Sequence, residues 1–144
     1  MKFHTEKGSI DFFRTQLIQS GFTSVDCTQV TDKYCYYDIQ AEYNNKKCRF
    51  ELKNRSENLK STTYGDSMIE LYKYGKFVDD IVNNKISMGY VVSLFEDIYT
   101  IHRITDLHSI DQKNCPSTTY FENTNKKDKY CVTYPINEEH KYYY

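Results

Sequence analysis

The chain has 144 residues, 39% of them hydrophobic and 16% aromatic, with 15 tyrosines and no tryptophan. That length suits one domain with one core, and the apolar content excludes global disorder. The formal net charge of −1 excludes a strong overall field toward polyanions, so any nucleic-acid contact has to come from a local basic patch.

The amino-terminal stretch MKFHTEKGSIDFF lacks the apolar run of a signal peptide, and no segment reaches membrane-spanning length. Residues 8–20, GSIDFFRTQLIQS, are predicted as a helix. Ile10, Phe13 and Leu17 recur at helical spacing, and Gly21 stands where a C-terminal cap belongs. Residues 22–32 read as a turn-rich link with a short strand near Thr28–Val30. Two strand-like runs, KYCYYDIQAEY and KKCRFELKNR, then flank Asn44-Asn45, a pair suited to the left-handed geometry of a tight hairpin turn. In that register Tyr43 faces Lys46, Ala41 faces Cys48 and Asp38 faces Glu51, with Cβ atoms about 5 Å apart. Strand alternation places Lys53 on the face of Glu51, while Phe50 and Leu52 point the other way.

Residues 54–66 read as a polar loop without a core signal. A helix is expected to begin between Ser67 and Tyr72 and to run to about Asn83. Leu71, Gly75, Val78 and Val82 would lie on its buried face and Glu70, Lys73 and Asp80 off it. ISMGYVVSLFED and IYTIHRI read as two further strands, and residues 117–135 as a hairpin in which STTYFEN and KYCVTYP flank TNKKD. The tail HKYYY is expected to fray. The sum is a single α/β domain over 1–144, a mixed central sheet flanked by helices, with a core at about 7–104 and an extension over 105–144. Five cysteines, odd in number and without a CxxC pair, and four scattered histidines suit reduced thiols in a cytoplasmic protein without structural zinc.

The chemistry sits in the hairpin. The spacing E-x-K is weak alone, since Glu139-His140-Lys141 repeats it in the tail. Context distinguishes the copy at Glu51-Leu52-Lys53, which ends a core strand and has Asp38 opposite. Two carboxylates side by side resist ionisation unless a cation neutralises them. Mg²⁺, with Mn²⁺ as a substitute, is the hard ion such oxygen ligands select, and the Leu52 carbonyl offers a further oxygen. An ion there would activate water against a phosphodiester, with Lys53 assisting. The bland alternative is a cross-strand salt-bridge cluster, which explains Lys53 but not like charges directly opposite. Arg49, Arg55 and Lys60, near Lys46 and Lys47, make a candidate phosphate-contacting patch or a merely solvated one, and Tyr64 could stack on a base.

These residues resemble the PD-(D/E)XK nuclease superfamily. Asp38 corresponds to the family's hairpin acid, although Tyr37 stands where that motif has proline, and Glu51-Leu52-Lys53 in FELKNR corresponds to its E-x-K. KGSIDFFRTQLIQSGF resembles the first helix of the archaeal Holliday-junction resolvases, whose helix acid joins the metal site. Asp11 is the nearest counterpart and Glu6 the alternative. STTYGDSMIELYKYGKF resembles the loop and second helix, with Lys73 at the place of a supporting Lys or Gln that also nears the nucleic acid. The resemblance spans roughly 7–104. It implies a restriction-endonuclease-like core in the order α-β-β-β-α-β, with an extra C-terminal β-hairpin. It also implies a Mg²⁺-dependent endonuclease acting on DNA, with RNA open, and a homodimer where two strands are cut symmetrically. The competing expectation is the same fold without activity, used as a protein- or nucleic-acid-binding module.

Overall fold

The computed structural model describes residues 1–28, 35–106, 109–116 and 126–144, with 111–116 and 126–129 described by backbone alone. Helix α1 (Glu6–Gln19) starts two residues before its apolar spacing suggests, because Thr5 caps it: Thr5 Oγ1 accepts from the Gly8 N–H at 2.9 Å. Gly21 takes φ +94° just past its end, a conformation that a side chain would strain. Strand β1 (Thr23–Asp26) follows directly, earlier than the strand expected near Thr28–Val30. Residues 29 and 30 of that expectation lie outside the described residues.

The hairpin forms in the register read from the sequence. Strands β2 (Ile39–Tyr43) and β3 (Lys46–Asn54) pair antiparallel, with Ile39 opposite Phe50, Ala41 opposite Cys48 and Tyr43 opposite Lys46. Asn44 and Asn45 sit at φ 50° and 62°, so both turn residues are left-handed as a two-residue hairpin requires. Strands β5 (Met88–Leu94) and β6 (Tyr99–Arg103) are the predicted pair. They lie in the order β1-β2-β3-β5-β6, with β5 parallel to β3. The crossover between β3 and β5 carries helix α2 (Leu71–Val82), giving the helix, meander, helix, strand order that the superfamily resemblance implies.

Three features depart from the sequence reading. First, a strand, β4 (Asp66–Glu70), precedes α2 where only loop and helix were expected. Its partner is β8 (Lys126–Pro135), some sixty residues away, and β8 pairs in turn with β7 (Ser109–Pro116). The expected first strand of that terminal hairpin, 117–123, lies outside the described residues. Second, the buried face of α2 is centred on Phe77, with Leu71, Tyr74, Val78 and Ile81 packed beside it, while Val82 is 71% exposed. Phe77 takes this role because it lies on bare backbone: a Cβ at Gly89 would come within 2.2 Å of its ring. Third, the tail is anchored. Residues Lys141–Tyr142 form β9 on the free edge of β6, and the Tyr144 hydroxyl donates to the Phe95 carbonyl at 2.6 Å. The Tyr144 ring meets Phe3, Phe12 and Tyr99, so burial of aromatic surface outweighs the tail's freedom.

The central sheet therefore separates two cores. On one face α1 lays Ile10, Phe13 and Leu17 over Ile39, Ala41, Cys48, Phe50, Val92 and Leu94. On the other, α2 and the smaller sheet enclose Ile69, Phe77, Ile86, Val91, Ile104, Val132 and Tyr134. No helix among the described residues is long and apolar enough to cross a membrane.

Candidate active site

Because alternate residues of β3 serve opposite faces, Phe50 joins the α1 core while Arg49, Glu51 and Lys53 fall on the α2 side. Asp38 stands just before β2, where the ladder gives way. Its N–H donates to the Phe50 carbonyl at 2.9 Å, and its Oδ2 accepts from the Leu52 N–H at 2.8 Å. The carboxylate thus replaces the backbone acceptor that a longer β2 would have supplied. A strand residue turns its N–H and C=O to the same edge, so the Leu52 carbonyl faces the edge that Asp38 occupies.

Glu51 is only 4% exposed. Burial and the neighbouring Asp38 push its carboxyl up to about 8, against the opposing pull of Lys53 and Lys73. Glu70 ends β4 and stands at the N-cap position of α2; the sequence offers it only as a partner of Lys73 one turn on, and its pairing with Lys53 is the contact sequence reasoning missed. Lys53 Nζ donates to both of its oxygens, at 3.0 and 2.8 Å. Lys73, one helical turn further on, donates to Glu51 Oε2 at 2.5 Å and lies 3.9 Å from Glu70. Burial disfavours the ionised Glu70, but the two lysines overcome it and hold the carboxyl at about 2. Burial likewise opposes a charged Lys73, and Glu51 and Glu70 overcome it, so its pKa is raised.

Three carboxylates thus face two ammonium groups in a nearly dry place, and the set carries one excess negative charge when fully ionised. Buried ion pairs of this kind are poor stabilisers compared with apolar packing of the same volume. Ionisable groups gathered at such cost are a mark of functional sites. The donor set is all oxygen, from Asp38, Glu51 and the Leu52 carbonyl. That matches Mg²⁺, which takes one or two carboxylates and keeps several waters. A cage of three or more His, Cys, Asp or Glu ligands is not found among the described residues.

The other sequence candidates are scattered. Asp11 is exposed on α1 and pairs with Lys7 at 2.6 Å. Glu6 is exposed in the first turn of α1. Arg49 turns inward: it donates to Gln40 at 2.9 Å, and to the Tyr36 hydroxyl and Asp80 Oδ2 at 2.7 Å each. Its guanidinium also lies 4.5 Å from the centre of the Tyr37 ring. Arg49 and Lys73 are therefore committed inside the protein, and Asp80, expected off the buried face of α2, is held in the same network as Arg49. Arg55 is half-buried, Lys60 exposed and Tyr64 73% exposed. The loop bearing them is not the coreless segment expected, since Ser56 and Ser61 are buried and Ser61 bonds both oxygens of Asp97. The second E-x-K copy lies at the far edge of the sheet, where the His140 ring stacks on His102 at 3.9 Å beside a cavity of about 500 Å³.

No protein-family model matches the chain, and a comparison with curated proteins finds no match. Among solved structures, the chain is similar to Hjc, a Holliday junction resolvase of Archaeoglobus fulgidus. The two share 16% identity at a TM-score of 0.48, over 90% of this chain and 84% of that one.

Proposed function

We propose that this chain is a metal-dependent nuclease that hydrolyses phosphodiester bonds in DNA. The observation that carries the reading is the convergence of Asp38, Glu51 and Lys53 at the edge where β2 stops. Asp38, Glu51 and the Leu52 carbonyl would hold Mg²⁺ or Mn²⁺, without Asp11, which is paired with Lys7 on α1. When bound, the ion supplies a more acidic water and neutralises phosphate charge. Lys53 then orients the attacking water with its ammonium, and Glu70 fixes that ammonium in place. Lys73 holds the Glu51 carboxylate in its rotamer, and Lys60 and Tyr64 stand free to meet the nucleic acid. Cutting both strands of a duplex symmetrically would take a homodimer, which solution mass reads directly.

The test is cleavage of plasmid, branched and single-stranded DNA, and of RNA, with Mg²⁺, Mn²⁺ or EDTA. Metal-dependent cutting should be abolished by Glu51→Gln or Asp38→Asn. Lys53→Ala should slow it by about 10²–10⁴-fold, the usual weight of a positioned proton-handling group. Cutting by the Glu51 and Asp38 variants at the wild-type rate would end the reading.

One observation favours a second reading, an inactive binding module. Lys73 and Lys53 already occupy Glu51 and Glu70 with direct contacts, at 2.5 and 2.8 Å, without any metal. Under that reading calorimetry finds no Mg²⁺ binding, and no substrate is cut.

A further inference from the structure

Asp38 stands outside the ladder that places the rest of the candidate centre. Glu51 and Lys53 lie on β3, which pairs with β5 from Cys48 to Asn54, whereas residues 35–38 form neither helix nor strand. From the β3 side Asp38 is held by two bonds, its own N–H to the Phe50 carbonyl and the Leu52 N–H to its Oδ2. Such bonds fix a carboxylate only if the backbone leading into it is also fixed, because an unpaired segment keeps its conformational freedom.

That backbone is held by one side chain. Arg49 lies on β3 two residues before Glu51 and on the same face. Its Nε donates to Gln40 at 2.9 Å, and its Nη1 donates at 2.7 Å both to the Tyr36 hydroxyl and to Asp80 Oδ2 of α2. The Tyr36 hydroxyl donates in turn to Asp80 Oδ2. The guanidinium covers the Tyr37 ring, 4.5 Å from its centre, and the Tyr36 ring meets Phe77 of α2 edge-on at 4.6 Å. Both residues immediately before Asp38 are therefore held, Tyr36 by hydroxyl and ring and Tyr37 by its ring face. The Arg49 and Asp80 side chains are each only 15% exposed, so water competes little for these bonds. Apolar side chains of similar volume would stabilise such a place at least as well. What the charged cluster adds is direction, since a planar fork with a stacking face fixes several neighbours in one geometry.

We propose that Arg49, with Tyr36 and Asp80, is a positioning cluster that keeps the Asp38 carboxylate on the Leu52 N–H, at the edge shared with Glu51 and the Leu52 carbonyl. Strand β3 then sets both acids, Glu51 directly and Asp38 through Arg49, so one strand fixes their spacing. Asp80 ties α2, the helix that carries Lys73, to the same point. The cluster acts through Asp38 and takes no part in the chemistry itself. The inference deepens the nuclease reading and rests on it for the chemistry, whereas the placement of Asp38 is measured without it.

The experiment follows amide hydrogen exchange of the metal-free full chain by NMR, in wild type, Arg49→Lys and Tyr36→Phe. The Leu52 N–H reports the bond to Asp38, and the Val92 N–H, on a strand paired on both sides, reports global opening. Arg49→Lys keeps the charge but loses the fork and the stacking face. It should speed exchange at Leu52 by about tenfold beyond any change at Val92, the weight of one hydrogen bond to a charged group. Tyr36→Phe keeps the ring on Phe77 and should speed it by about threefold, the weight of a neutral hydrogen bond. Should Arg49→Lys not fold, Tyr36→Phe carries the test. A role in stability alone would move both amides together, and that result overturns the proposal, as does unchanged exchange in the variants that fold. Mg²⁺ binding and cleavage are scored separately. In a wild type that cuts, the variants should bind Mg²⁺ more weakly and lose kcat with little change in KM for DNA; wild-type Mg²⁺ affinity and kcat would overturn the positioning role. In a wild type that neither binds Mg²⁺ nor cuts, only the nuclease reading falls, and Leu52 exchange still decides the placement of Asp38.

Discussion

The two faces of the central sheet are built from neighbouring residues of the same strands, yet they obey different physics. On the α1 face, Phe50 meets Phe13, Phe22 and Tyr90 in ring contacts centred 5.0–5.8 Å apart, and ionisable side chains packed there, such as Cys48, Tyr90 and Tyr99, are weak acids whose neutral forms burial favours. One residue along β3, Glu51 faces α2 among Asp38, Lys53, Glu70 and Lys73. The first face gains stability from area removed from water. The second spends part of that gain on desolvated charge, and this difference locates the candidate chemistry.

The sharpest way to break the comparison is to substitute the two neighbours. Glu51→Gln should abolish metal-dependent cleavage and leave a cooperative urea transition. Phe50→Ala should lower stability by about 3–5 kcal/mol, the usual cost of emptying a buried aromatic site. A Glu51→Gln protein that cuts, or a Phe50→Ala protein as stable as wild type, would erase the distinction between the faces.

Next in size is Glu70→Gln, which leaves the Lys53 ammonium in a buried place with its partner gone. Removing one member of such a pair typically costs about 3–5 kcal/mol, and the midpoint of urea unfolding reads it. A shift within error would mean that Lys53 finds water or another acid.

The pH dependence of stability sharpens the picture further. Without metal, folded Glu51 keeps its proton up to about 8, whereas the unfolded carboxyl loses it near 4.5. Stability from this group is therefore complete below 4.5 and is lost as pH rises toward 8. Glu70 works in the opposite sense. Its folded value is about 2, so its contribution is complete above 4.5 and is lost as pH falls toward 2. Thermal unfolding in EDTA should show both limbs, and Glu51→Gln should remove only the alkaline one. A flat profile between 4.5 and 8 in wild type would count against the buried state of Glu51. The smallest effect belongs to Tyr64→Ala at the exposed loop, where Tm should correspond to a change within about 0.5 kcal/mol. Any deficit there should show in DNA affinity instead.

Much of the α1 face is legible in sequence because its signals are local. The spacing of Ile10, Phe13 and Leu17 and the Asn44-Asn45 turn each act over a few residues. The turn then sets the register from Tyr43 opposite Lys46 to Ile39 opposite Phe50, and Asp38, expected directly opposite Glu51, stands just past its end, bonded to Phe50 and Leu52. The second helix shows where local reading fails. Two stripes of similar apolarity compete on α2, and the choice falls to Phe77 only because Gly89, on another strand, leaves room for its ring. The acid of DSMIE is legible in sequence only as a neighbour of Lys73 one turn on. Glu70 becomes a partner of Lys53 only when β4 pairs with β8, about sixty residues away.

By itself, then, the sequence determined the elements with short-range periodicity, the hairpin register and the adjacency of two acids with a lysine. Tertiary structure alone decided which charges are buried, that Glu70 holds Lys53, and that Arg49 is committed inward rather than offered to phosphate. The physical reason is one of range. Backbone periodicity and turn geometry are written within a few residues, whereas desolvation and ion pairing depend on what distant segments bring to the same few ångströms.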